Sequence, residues 1–136
     1  MIKKVLTVLF FLFFLNKVVI ANQKIPKWVY VGENNSDSKI YVDVNNINNK
    51  SKNIKQYWAK INMQKPSQLG GKNYYSILAF NEVKCDEHTV STNFIKFYQD
   101  YDNRGGTSPD FGKPNHWVMI IPGSIESEMV FKYVCK

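Results

Sequence analysis

The sequence predicts an α+β fold: an antiparallel β-sheet with a C-terminal helix tethered to it by a disulfide. Apolar residues recur with a period of two through most of residues 28–98, as half-buried strands require. The period changes only after Ser124, where Ile125, Met129 and Tyr133 fall on one helical stripe. The two cysteines, Cys85 and Cys135, close a strand pattern and the helix pattern respectively.

The first residues read as an export signal. Lys3 and Lys4 precede an apolar run, Val5 to Leu15, that is too short to cross ~30 Å of hydrocarbon and is broken by Asn16 and Lys17. Val19-Ile20-Ala21 supplies the small residue a signal peptidase needs. Cleavage is expected after Ala21, leaving residues 1–21 as the signal and 22–136 as one domain without a stable membrane span. The competing reading is an uncleaved anchor reaching Ile20. Export leads to an oxidising compartment, where an even cysteine count is best explained by a Cys85–Cys135 bond.

Charge argues against a nucleic-acid partner. Lys3, Lys4 and Lys17 account for three of the 18 basic residues, so residues 22–136 carry 15 bases against 11 acids, a net of +4. These bases are scattered and include one Arg, whereas duplex binders concentrate Lys and Arg on one face.

Trp28–Val31 and Lys39–Val44 are β-rich runs flanking the turn-forming Gly32–Ser38, which predicts a hairpin. The Asn-rich 45–53 segment reads as a loop. In Ile54–Met63, the residues Tyr57, Ala59, Ile61 and Met63 share one face, with Gln56, Trp58, Lys60 and Asn62 opposite. Lys65-Pro66 through Gly70-Gly71 is expected to break the chain. Asn73–Cys85 alternates again, placing Cys85 with Ile77 and Val83, and after the turn at 86–88 the run Thr89–Tyr98 is expected beside it. Residues 99–114 read as an exposed loop around Gly105-Gly106, and His116–Ile121 as a last short strand. Ser124 is placed to cap the terminal helix, with Glu126 and Glu128 in its favourable first turn. So short a helix is marginal alone in water, so the sheet and Cys135 must hold it.

No catalytic, cofactor or metal residue is assigned. His88 and His116 are the only histidines, and neither lies in a recognisable nucleophile, zinc or phosphate motif. Cys85-Asp86-Glu87-His88 lacks further ligands at zinc spacing. Asp100, Asp102, Asn103 and Asp110 could offer oxygens to Ca²⁺ but lack the EF-hand glycine and terminal Glu, which favours a solvated acidic loop. Among the aromatic residues, most belong to the core, while Tyr74, Tyr98 and Tyr101 are candidates for a surface recognition patch.

Taken in order, Trp28 to Gly32, Tyr41 to Asp43, Trp58, Lys65-Pro66 with Gly70, Tyr75-Ser76, Cys85, Phe97-Tyr98, Trp117 with Pro122-Gly123-Ser124, and Val134-Cys135 resemble the surface-adhesin protein E-like family of Gram-negative bacteria. The resemblance spans nearly all of residues 22–136. It implies an antiparallel sheet with a disulfide-tethered terminal helix, and adhesion to host matrix proteins. The adhesin that names the family looks like a lipoprotein, whereas no cysteine lies near Ala21 here, so a periplasmic, secreted or partner-held surface protein is expected. The expected function is therefore a non-enzymatic envelope binding module, its partner a host matrix glycoprotein or another envelope protein. The alternative is a small secreted or periplasmic hydrolase or nuclease using His88 or His116.

Overall fold

The computed structural model describes residues 23–136, and the signal-peptide expectation for residues 1–21 lies outside them. Eight strands form one antiparallel sheet: β1 (Trp28–Glu33), β2 (Lys39–Asp43), β3 (Asn48–Asn49), β4 (Ile54–Leu69), β5 (Lys72–Lys84), β6 (Thr89–Asp100), β7 (Arg104–Thr107) and β8 (Val118–Met119). Their order is β1-β2-β4-β5-β6-β7, with β3 also paired to β4 and β8 to β6. The predicted β1–β2 hairpin forms, and its turn is organised by Asn34, whose Oδ1 accepts from the Ser36 and Ser38 N–H groups.

Two loop expectations are corrected. Lys65-Pro66 does not end a strand, because β4 continues to Leu69 and the turn falls at Gly70-Gly71, both at positive φ. The β4–β5 ladder is interrupted between Asn62 and Ser67, and Pro66 lies in that gap, where its missing N–H costs no ladder bond. Residues 99–114 are likewise no free loop. β7 pairs with β6, and the Ser108, Phe111 and Lys113 N–H groups donate in turn to the carbonyls of Phe97, Ile95 and Thr92. β8 completes this cover at Thr89 and Val90, so the outer edge of β6 is shielded by polar, Gly-rich backbone. Of the predicted strand His116–Ile121, only Val118–Met119 pairs and only Ile120 is buried.

One face of the sheet is the core. Ile40, Val42, Tyr57, Ala59 and Val83 pack there against Ile120 and the C-terminal helix residues Met129, Val130 and Val134. Helix α1 (Ile125–Met129) begins at Ser124, whose Oγ accepts from the Ser127 N–H, as its cap position predicted. The chain then widens into a π-helical turn, Val130–Val134, closed by the Cys135 N–H donating to the Val130 carbonyl at 2.8 Å. This wider turn buries Val130 and Val134 more fully than Tyr133, which the straight helical stripe had favoured. Cys135 is bonded to Cys85, with Cα atoms 5.6 Å apart.

Candidate functional site

The helix covers one face of the sheet, and alternation assigns the other face its own set of side chains. Directly opposed residues of antiparallel strands share a face, so the register reads out rows across it. One row is Tyr30, Tyr41, Lys60, Leu78 and Lys96; the next includes Trp58, Phe80 and Phe94. Each of these residues except Lys60 retains some solvent exposure, and Tyr30 is half exposed. Trp58 packs against Phe80 and Phe94 with ring centroids 4.7 and 5.8 Å apart. Lys96 lies over the Phe94 ring. The uncovered face is therefore a fixed aromatic platform interleaved with lysine stems.

At one end of the platform the chain builds an open cleft of about 630 Å³, lined by residues that include Glu33, Asp37, Lys39, Tyr41, Asn62, Gln64, Tyr101 and Asp102. Its wall is the tight turn Tyr101–Asn103 between β6 and β7. Asp102 and Asn103 both adopt positive φ, 58° and 59°, a conformation Asp and Asn tolerate better than other non-glycine residues. The turn is pinned to the sheet on both sides. Lys60 Nζ and Asn62 Nδ2 donate to Asp102 Oδ1 at 3.0 and 2.9 Å, while the Asp102 N–H donates to Asn62 Oδ1. Ser76 Oγ donates to the Asp100 carbonyl at 2.6 Å and accepts from the Asn103 N–H.

These contacts fix the ionisation of Asp102. The Asn62 amide is the largest influence holding its carboxyl below the ordinary range, followed by the hydrogen bond from Lys60, with Arg104 adding a weaker attraction. Lys60 itself is 8 % exposed, and its ammonium faces the rings of Trp28 and Tyr41 at 5.0 and 4.9 Å. Tyr101 is 49 % exposed and rests on Tyr75, centroid to centroid 5.5 Å. A polar lock inside the sheet thus presents a supported aromatic ring to the cleft.

Of the three tyrosines expected at a surface patch, Tyr101 lines the cleft and Tyr98 is part-exposed on the platform face opposite Ser76. Tyr74 is corrected: it is 4 % exposed and packs edge-on to Phe97. The interruption in the β4 ladder shifts the alternation locally, so the residue expected to face solvent turns inward. The Gly105-Gly106 segment is exposed as expected, but as strand β7.

Two of the acidic residues considered for Ca²⁺, Asp102 and Asp110, are committed elsewhere. Asp102 serves Lys60 and Asn62, and Asp110 Oδ1 accepts from the Ile95 and Gly112 N–H groups, which lowers its pKa through the Gly112 bond first. Asp100 Oδ2 stands against Gly105. His88 is exposed in its turn at φ 55°, with its ring 4.7 Å from that of Phe131, and His116 is exposed before β8. Among the described residues, neither imidazole hydrogen-bonds a carboxylate, and no helix is long and apolar enough to cross a membrane.

The platform and cleft escaped sequence reasoning for lack of register. Alternation did place Trp58, Lys60 and Asn62 opposite the core, but nothing local says that Asp102, forty residues away, returns to meet them.

Comparisons with solved structures agree with this architecture. The structure of Haemophilus influenzae protein E superposes with a TM-score of 0.58 at 14 % identity, covering 84 % of this chain and 91 % of that one. Its crystal form II gives 0.58 at 14 % identity, covering 82 % and 92 %. Protein E from non-typeable Haemophilus influenzae gives 0.53 at 13 % identity, covering 83 % and 84 %. At such identities the likeness is one of fold. No curated protein matches the sequence. The family model for surface-adhesin protein E matches residues 28–136, from the first residue of β1 through the disulfide-bonded terminus, and the chain belongs to that family.

Proposed function

We propose that residues 22–136 are exported, after cleavage behind Ala21, as a non-enzymatic binding module of the cell envelope that attaches to a host matrix glycoprotein. The observation that carries this reading is the uncovered sheet face, where Tyr30, Tyr41, Trp58, Phe80 and Phe94 form a part-exposed platform across β1, β2, β4, β5 and β6. Rigid aromatic area loses little entropy on binding and is characteristic of energetic centres in protein recognition. Family membership supports the same reading. The histidines of the hydrolase alternative are exposed and lack an orienting carboxylate bond, whereas a general base needs one in reach.

The test is titration of the mature domain onto immobilised matrix glycoproteins, with another envelope protein as the competing partner, at low and high salt. Saturable binding that survives His88→Ala with His116→Ala and weakens in Trp58→Ala is expected. Salt should reduce it only in part, because a net charge of +4 steers a partner but aromatic contact holds it. No saturable binding, together with unchanged adhesion of a deletion strain, would overturn the proposal.

A further inference from the structure

We propose that the cleft beside Tyr101 is a carbohydrate subsite that takes an uncharged sugar unit. This rests on the adhesive reading above and names the part of a glycoprotein that the site would grip.

The charge of the lining selects the ligand. Glu33 and Asp37 oppose a polyanion, Lys39 opposes a cation, and the Asp102 carboxylate is already compensated by Lys60. A neutral ligand rich in hydroxyls meets neither penalty. Each hydroxyl both donates and accepts, which suits a wall of mixed carboxylate, amide and ammonium groups such as Glu33, Asp37, Gln64 and Lys39. Tyr101 and Tyr41 supply the complementary element, since the negative face of an aromatic ring attracts the polarised C–H groups of a pyranose. A divalent metal is disfavoured because Asp102 already spends its Oδ1 on Lys60 and Asn62.

Preorganisation favours a ligand site over an incidental hollow. The Tyr101–Asn103 turn is fixed by Lys60, Asn62 and Ser76, and Tyr101 leans on Tyr75, so little ordering remains to oppose binding. The volume of about 630 Å³ falls within the usual range for small-ligand sites.

The experiment titrates the ¹⁵N-labelled mature domain with N-acetyllactosamine, maltotriose and chitotriose at millimolar concentrations. In parallel, binding to an immobilised matrix glycoprotein is measured before and after enzymatic removal of its glycans. Amide shifts confined to residues 33–41, 62–64 and 101–102 are expected. Tyr101→Ala should weaken the response by about tenfold, as truncating a central aromatic contact does, while Tyr101→Phe and the lock-preserving Lys65→Ala retain it. Gln64→Ala, on an exposed strand position, provides a second reading free of folding effects. Absence of shifts with all three sugars overturns the inference. Undiminished binding to the deglycosylated protein also overturns it, yet leaves the adhesive reading standing. Failure of both protein forms to bind removes the adhesive reading, and the sugar titration still decides the subsite.

Discussion

The Lys60 ammonium lies 3.0 Å from Asp102 Oδ1 and at the same time faces the rings of Trp28 and Tyr41. A lysine in the middle of a sheet would ordinarily extend to water. Here its charge is compensated by one carboxylate and two aromatic faces, so a single side chain couples β1, β2, β4 and the turn that carries Tyr101.

Removing the carboxylate should therefore loosen the turn more than the sheet. Asp102→Ala leaves Lys60 buried with only its cation–π partners and frees the Asn62 amide. Because Asp102 is itself 44 % exposed, screening limits the loss to about 1 kcal/mol. Urea denaturation should show that modest shift. Amide exchange should accelerate at residues 100–104 and not in β4 or β5.

Acid should act on the same lock. The folded carboxyl of Asp102 is held below its ordinary value of 3.8, so its contribution is fully present above that value and is lost as pH falls through the depressed folded pKa. The cleft should hold its shape from neutrality through about pH 4 and open only at lower pH, as the depressed folded pKa of Asp102 is passed. Chemical shifts of Tyr101 and Asn62 followed against pH report this, and Asp102→Asn should abolish the acid transition while leaving other carboxylates to titrate.

Much of this fold is legible in the sequence, and the reason is alternation. Tyr57 and Ala59 are buried on the core face as their period-two spacing requires, Ser124 caps the helix as predicted, and Cys85 meets Cys135. Features that depend on pairing were not legible. Pro66 looked like a strand end because its interruption is cheap only opposite a gap in the ladder, which no local signal reveals. Residues 104–113 looked like a loop because they are glycine-rich and polar without alternation, and they are held to β6 by backbone bonds and by the Ser108 and Asp110 side chains. The cleft joins residues from β1, β2, β4 and the turn after β6, and only the sheet order brings them together.

Gly112→Ala tests whether the edge cover matters. A Cβ at position 112 would meet the Asn93 carbonyl and the Phe94 Cα, backbone that cannot rotate away. The segment must lift from β6, with a cost of roughly 1–3 kcal/mol. Self-association should rise as the β6 edge is bared, which light scattering across a concentration series would detect. A variant as stable and as monodisperse as its parent would show the cover to be dispensable.

Export can be checked on its own. Protein recovered from the envelope or the medium should begin at Asn22, because the basic start, the interrupted apolar run and Val19-Ile20-Ala21 direct cleavage there. N-terminal sequencing of the recovered protein decides it. A membrane-embedded, full-length product would favour the uncleaved anchor.

Losing the disulfide should separate the helix from the sheet in stability. The bond joins residues 50 positions apart, and closing such a loop restricts the unfolded chain by roughly 4 kcal/mol in the chain-entropy treatment. The helical segment it anchors is one short α-turn run followed by a π-turn, too short to persist without docking. What remains after Cys135→Ala is the burial of Met129, Val130 and Val134 against Tyr57, Ala59 and Val83. The sheet keeps its long β4–β5 and β5–β6 ladders, so the loss falls first on residues 125–136. Hydrogen exchange should show those amides opening well below the global unfolding free energy, with β4 to β6 still protected. Equal loss of protection in helix and sheet would instead mean that the helix and the core unfold as one unit.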